Sequence, residues 1–340
     1  MTDIVTKLAP QIWDRIQKSQ NILLHCHPSP DGDSIGSALT LYHLLRGLNK
    51  HPTVIMGDSE PPRSLSYLPG FEQITVKNFF QIDLTGFDLF IIVDSSSLGQ
   101  ISKLGNINFP ENLDTVVIDH HFSNHGFAKL NLVDTSYIAT SQILYDLIKI
   151  WGITLTREIA ACLFIGIYTD SGGFKYPLTN VETFIASAAL IKIYPDFSKD
   201  IFIYENSLEP QQISYLALAF NSIEHFFSGK VAISMIHYSA LSDLGIKKKH
   251  TEKMEVSNFL KSVIGWEIGI TMTEIAPNEV NLSFRTRDEA KYNVAKIAQS
   301  TGFGGGHPAA AGAFLKMSYD QSKKLLLESI AKAYPDLGSP

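Results

Sequence analysis

The side chains in this chain best suited to chemistry sit where apolar runs stop. The run Thr115-Val116-Val117-Ile118 ends in a carboxylate and two imidazoles, Asp119, His120 and His121. The run Asn21 to Cys26 passes into His27, followed by Asp31 and Asp33. Phe87 to Val93 ends in Asp94, and the apolar stretch Glu158 to Thr169 ends in Asp170. Several like charges converging on one low-dielectric cleft repel strongly, and bound divalent cations remove that cost. Oxygen and imidazole donors without a thiolate suit hard or borderline ions such as Mn2+ or Mg2+ rather than a structural zinc. These donors are too many for one ion that must also hold water and substrate. They fit two ions sharing a bridging carboxylate, the arrangement used for in-line displacement at phosphorus. A buried strand with a polar cap would account for Asp119 alone, but not for two histidines after it. No Ser or Cys nucleophile with an adjacent base is apparent, so direct attack without a covalent intermediate is expected.

The elements that must hold these groups alternate between strand and helix. An amphipathic helix over 1–20 carries Ile4, Leu8, Ile12 and Ile16 at a helical repeat. A strand at 21–27 leads through the loop Pro28 to Asp33 into a helix from Ile35 to Leu48, for which Ser34 is a plausible cap. Strands follow at Thr53 to Met56, Phe87 to Asp94 and Val116 to His121, then helices over 137–150 and from Glu158 to Tyr168. This order predicts an α/β fold, a mostly parallel sheet with helices on both faces, whose ligand site lies beyond the carboxyl ends of the strands. Residues 180–222 look helical. The period then changes, with strands expected at Lys230 to Ile236, Trp266 to Glu274 and Glu279 to Arg285, and helices at Tyr292 to Gln299 and 319–334. The expected organisation is a metal-binding domain over 1–190, a helical linker over 191–222 and a smaller α+β domain over 223–340.

Composition narrows the class. With 340 residues, 45% hydrophobic and 18% charged, the chain has material for two ordinary domains. No apolar run nears the roughly 20 residues that span a bilayer, and no signal peptide is visible, so a cytoplasmic protein without membrane association is expected. Two cysteines, Cys26 and Cys162, exclude a disulfide framework. The net charge of −6 speaks against tight, non-specific binding of long nucleic acid. Residues 212–340 hold 14 Lys+Arg against 12 Asp+Glu, so the acidic excess lies in the first domain, where cations should bind.

Taken together, His27 with Asp31 and Asp33, the lone Asp94, Asp119-His120-His121, Thr169-Asp170-Ser171 and Gly304-Gly305-Gly306-His307 resemble the motifs of the DHH phosphoesterases, in order and over almost the whole chain. The resemblance implies that His27, Asp31, Asp33, Asp94, His120 and Asp170 ligate two Mn2+ ions, Mg2+ being the alternative, with Asp94 bridging. It implies that Asp119 supports the histidine pair from behind and that His121 meets the phosphate. It also makes Arg285 a phosphate clamp and Gly304 to His307 part of a DHH-associated substrate-binding domain. Many relatives carry an Arg six residues after the lone Asp, where this chain has Gln100.

The glycine run has its own physics, because backbone N–H groups free of Cβ can close on an anion. Arg285 and Arg287 alternate onto one strand face. His25 reads as a packed core histidine. Within the family, length and layout look most like the branch acting on short oligoribonucleotides and on 3′-phosphoadenosine 5′-phosphate (pAp). The expected activity is therefore a metal-dependent oligoribonuclease and pAp phosphatase, with a homodimer as a candidate assembly. Linear diadenylate or cyclic-dinucleotide hydrolysis and polyphosphate hydrolysis on the same fold are the nearer alternatives. A RecJ-type exonuclease on single-stranded DNA and a non-catalytic nucleotide sensor are the distant ones.

Overall fold

The computed structural model describes residues 1–252 and 254–338, which form two compact units, Met1–Ser207 and Leu208–Pro340. The boundary falls inside the segment expected to be a linker.

The first unit runs α1 (Asp3–Lys18), β1 (Asn21–Cys26), α2 (Gly32–Gly47), β2 (His51–Met56), β3 (Ile74–Thr75), β4 (Leu89–Val93), β5 (Asp114–Asp119), β6 (Leu130–Val133), α3 (Thr140–Ile150), α4 (Arg157–Asp170), α5 (Val181–Ile193) and α6 (Phe197–Glu205). Its six strands lie in the order β3-β2-β1-β4-β5-β6, every pair parallel. β1, β4 and β5 are almost wholly buried, as their unbroken apolar runs require of strands covered on both faces. One face packs on α1 to α4 through Ile12, Leu24, Leu39, Ile91, Val116, Ile143 and Leu163. The other packs on short 3-10 turns and loops through Phe79, Phe90, Ile101, Ile107 and Val117. The chain reverses its progress across the sheet between β1 and β4, and in such sheets the crevice at this switch point is where ligands bind. His27 and Asp94 follow those two strands.

Two glycines let α2 lie close on α4. A Cβ on Gly32 would fall 2.3 Å from Thr169 Oγ1, and one on Gly36 would fall 2.4 Å from the Cys162 carbonyl oxygen. This approach brings the first turn of α2, with Asp31 and Asp33, to the end of α4 at Asp170. Because Gly36 faces backbone that cannot swing aside, Gly36→Ala is expected to destabilise the protein by about 1–3 kcal/mol through overpacking. Thermal unfolding of the variant checks this, and an unchanged Tm rejects it.

The second unit contains α7 (Pro210–Asn221), β7 (Ile223–Phe226), β8 (Val231–Ile236), α8 (Tyr238–Asp243), α9 (Lys248–Thr251), α10 (Val256–Ser262), β9 (Ile268–Ala276), β10 (Glu279–Thr286), α11 (Val294–Ser300), β11 (Gly304–His307), β12 (Ala310–Leu315) and α12 (Tyr319–Ala333). Its mixed sheet has the order β11-β12-β10-β9-β8-β7, with only β8 and β9 parallel. The glycine run, for all its loop-like composition, is the edge strand β11. Gly304 to His307 pair in register with Ala313 to Ala310, and the close approach of Gly304 and Gly306 to β12 leaves no room for a Cβ at either. Among the described residues no helix is long and apolar enough to cross a membrane.

Candidate metal centre

Five segments of the first unit converge on one group of carboxylates and imidazoles. Asp31 caps α2, its Oδ1 accepting from the backbone N–H of Asp33 at 3.1 Å and of Ser34 at 3.0 Å. Ser34, the cap expected from sequence, instead accepts from the His27 N–H at 3.1 Å. Asp33 points across to α3, where Oδ2 accepts from the Thr140 N–H at 2.6 Å and Oδ1 from the Ser141 N–H at 2.9 Å. The residue preceding α3 is Ala139, which offers no side-chain cap, so Asp33 serves the orphan donors of its first turn.

Asp94 stands just past β4 in the left-handed region, φ 50°, a conformation costly for a residue with a Cβ but tolerated by Asp. Its backbone N–H donates to the Ile118 carbonyl at 3.0 Å, and Thr140 Oγ1 donates to its Oδ1 at 3.3 Å. The two carboxylate oxygens face different partners: Oδ2 lies 3.4 Å from His27 Nε2 and Oδ1 lies 3.6 Å from His120 Nε2. Beyond them, His27 Nε2 lies 3.7 Å from Asp31 Oδ2 and His120 Nε2 lies 3.0 Å from Asp170 Oδ2.

The two histidines are oriented alike. His27 Nδ1 lies 3.1 Å from the Pro28 carbonyl oxygen and His120 Nδ1 lies 3.3 Å from that of Tyr137. A proton on Nδ1 shared with a backbone carbonyl leaves the Nε2 lone pair for a cation, the usual arrangement behind a metal-bound imidazole. His120 Nε2 is buried without a well-formed hydrogen bond, although a carboxylate oxygen stands beside it. Two donors facing each other in this way fit a shared third atom.

His121 differs from its neighbour. Its Nδ1 donates to Asp119 Oδ1 at 2.7 Å, whereas Asp94 Oδ1 is 3.7 Å away. Asp119 is fully buried, and its Oδ2 accepts from Asn124 Nδ2 at 2.8 Å. The same Asn124 amide donates to the Ser95 carbonyl at 3.1 Å, which ties the end of β5 to the residue after Asp94. His25 is a packed core residue, edge-on to Phe90, with Nε2 3.3 Å from both Ser95 Oγ and the Gln100 carbonyl. Gln100 Oε1 accepts from the backbone N–H and hydroxyl of Ser96, so this side chain braces the loop after Asp94.

The electrostatics show how much positive charge the site demands. Burial alone would lower the histidines, but Asp31 and Asp94 raise His27 to about 10, and Asp170 and Asp94 raise His120 to about 12. Burial would raise Asp94, yet His120 and His27 pull it far below the usual carboxylate range. Burial and the negative charge of Asp94 and Asp170 push Asp33 up. Burial also pushes Asp170 up, with the close contact to His120 opposing and Asp94 adding to it. The carboxylates thus favour positive charge at the imidazoles, charge that a bound cation would supply instead.

Ligand-competent atoms gather into three overlapping groups, each within 4.8 Å: His27, Asp31 and Asp94; Asp33, His120 and Asp170; and Asp94, His120 and His121. The chemistry of the donor set fits divalent cations. All six residues expected as ligands lie in these groups. Asn124, Thr140 and Ser141 were not expected from sequence. Only Asn124 left a local signal, because Asn124-His125-Gly126 reads as an Asx turn, and Asn124 Oδ1 does accept from the Gly126 N–H at 2.8 Å.

In the second unit, Arg285 of β10, Ala310 of β12 and His307 of β11 lie in one register row across three adjacent strands. Paired residues share a face, so Arg285 and His307 flank a strip floored by Ala310, Gly312 and Gly305. Arg285 Nη1 donates to the Phe284 carbonyl at 2.9 Å. Arg287 is committed to the end of α10, where its Nη1 donates to the Ser262 and Val263 carbonyls at 3.3 and 3.1 Å.

Comparison with known proteins agrees with this architecture. Residues 21–167 match the DHH family, N-terminal domain. A protein named bifunctional oligoribonuclease and PAP phosphatase NrnA from Thermus thermophilus is 26% identical, over 94% of this chain and 95% of its own length. A protein of the same name from Bacillus subtilis is also 26% identical, over 92% and 95% of the two chains. The crystal structure of an exopolyphosphatase-related protein from Bacteroides fragilis superposes with a TM-score of 0.87 at 21% identity, covering 99% of both chains, and so shares the fold.

Proposed function

We propose, from the premise that residues 21–167 belong to the DHH family and that the chain is a metal-dependent phosphoesterase, that it hydrolyses short oligoribonucleotides and removes a phosphate from pAp. The observation that carries the reading is Asp94, whose two oxygens each face a different histidine–carboxylate pair. The names of the relatives, similar over most of their own lengths, point to the same substrates.

His27, Asp31, Asp33, Asp94, His120 and Asp170 would hold two ions, Mn2+ or Mg2+. Such ions polarise a phosphoryl oxygen and lower the pKa of water towards neutrality. The chain's own part is to hold the donors in place before substrate arrives. The Pro28 and Tyr137 carbonyls fix the rings of His27 and His120, and the first turn of α3 fixes Asp33. His121, held through Nδ1 by Asp119, presents Nε2 to the phosphate and stabilises charge developing there. Arg285, the glycine strand and His307 bind the distal part of the nucleotide.

The deciding experiment strips metal with chelator, adds back Mn2+ or Mg2+, and compares hydrolysis of pAp, short RNA, linear diadenylate and polyphosphate. Restored activity with short RNA and pAp leading is the expected result. Polyphosphate leading, or activity unaffected by chelation, overturns the reading.

The role of the second unit is tested by Arg285→Ala and His307→Ala. A charge-assisted hydrogen bond to phosphate is worth roughly 1.5–3 kcal/mol, so each change should raise KM for a dinucleotide about ten- to a hundredfold. Bis-p-nitrophenyl phosphate, which has no distal phosphate, should be much less affected. Equal losses on both substrates would show that the row supports folding rather than substrate contact.

A further inference from the structure

Phe122 follows the phosphate-facing histidine and is 82% exposed, the most exposed Phe or Tyr side chain among the described residues. The ring makes no aromatic contact there, unlike the neighbouring His120 and His121 rings, which lie 4.4 Å apart. The turn that carries it is nevertheless held tightly. The Asn124 N–H closes the turn onto the His121 carbonyl at 3.1 Å. The buried Asn124 side chain then makes three further bonds, donating to Asp119 and Ser95 and accepting from Gly126. A segment with no function beyond connecting β5 to β6 has no need of a buried amide that bridges two strand ends. Nor does packing account for a large apolar ring at its tip.

We propose that Phe122 is a stacking platform for a nucleobase next to the phosphate being cleaved, which makes it a specificity-determining residue for nucleotide over base-free substrates. The proposal rests on the phosphoesterase reading of the metal centre. His121 and Phe122 are adjacent in the chain, about 3.8 Å between Cα atoms, and a base lies one sugar away from its phosphate. Exposed aromatic side chains bind unpaired bases through their π-faces, with little sequence preference because every base has such a face. The Asn124 clamp fixes the turn in advance, so little backbone ordering remains when the base arrives. An aromatic platform of this kind also supplies affinity without charge, at a strand end crowded with carboxylates.

The test compares 5′-phosphorylated diadenylate with the same dinucleotide lacking its bases, using the Mn2+-loaded 340-residue chain, Phe122→Ala and Phe122→Trp. The ratio of kcat/KM for the intact over the abasic substrate should fall at least about fivefold in Phe122→Ala. The fall should come mainly from KM and should be restored in Phe122→Trp. Proportional losses on both substrates would mean that the ring supports the turn rather than a base, and an unchanged ratio would leave it no role in recognition. Either result overturns the proposal. A wild-type protein that cleaves neither dinucleotide overturns the functional reading, and this subsite with it.

Discussion

Asp94→Ala is expected to abolish hydrolysis of every substrate while leaving a folded protein. Asp94 is the one carboxylate placed between His27 and His120, with one oxygen towards each. Its removal separates the two donor groups, and loss of transition-state charge stabilisation of this kind costs at least several kcal/mol. The position has φ 50°, which alanine adopts less readily than Asp, so Asp94→Asn is the companion variant. It keeps the shape and the turn but removes the charge. Both variants should lose activity together, with circular dichroism and thermal unfolding showing an intact fold. Retention of more than about a tenth of wild-type kcat, roughly 1.4 kcal/mol, in either variant would sink the two-metal reading.

His121→Ala should lower kcat about a hundred- to a thousandfold, as loss of one preorganised donor to developing charge does, while bound metal stays nearly unchanged. The geometry separates the two histidines. His120 has Nδ1 on a backbone carbonyl and Nε2 against Asp94 and Asp170, whereas His121 has Nδ1 on Asp119 at 2.7 Å. His121 Nδ1 also lies 3.7 Å from Asp94 and within the same group of ligand-competent atoms, so ligation by His121 is the rival arrangement. The shorter contact to a fully buried carboxylate favours the supporting bond. Elemental analysis of the purified variant decides between them, because metal lost together with activity would make His121 a ligand.

Much of the site was legible in the sequence. Strands buried on both faces must be continuous apolar runs, so Asp94 and Asp119-His120-His121 stand out at their ends without any knowledge of the fold. An acidic and imidazole set without a thiolate points to a metal site by donor chemistry alone. The position of α4 was visible too: the expected helix, Glu158 to Tyr168, lies within the observed Arg157–Asp170, which runs on through the end of the apolar stretch to Asp170.

Other features came only with the tertiary structure. The bonds from Thr140 and Ser141 to Asp33 join residues more than a hundred positions apart, and they exist because the sheet order carries the start of α3 to the start of α2. The left-handed backbone at Asp94 could not be read from residue type, since Asp tolerates that conformation but is equally common in ordinary turns and helix caps. β6, Leu130–Val133, is too short for its alternation to be read, and it forms only by pairing with β5. The glycine run has the composition of a loop and becomes an edge strand because β12 offers a partner at a separation that excludes a Cβ. Residue type and local spacing determine which chemistry the side chains can do. Which backbone donor or neighbouring carboxylate holds each of them depends on long-range pairing, and no single stretch of sequence encodes that.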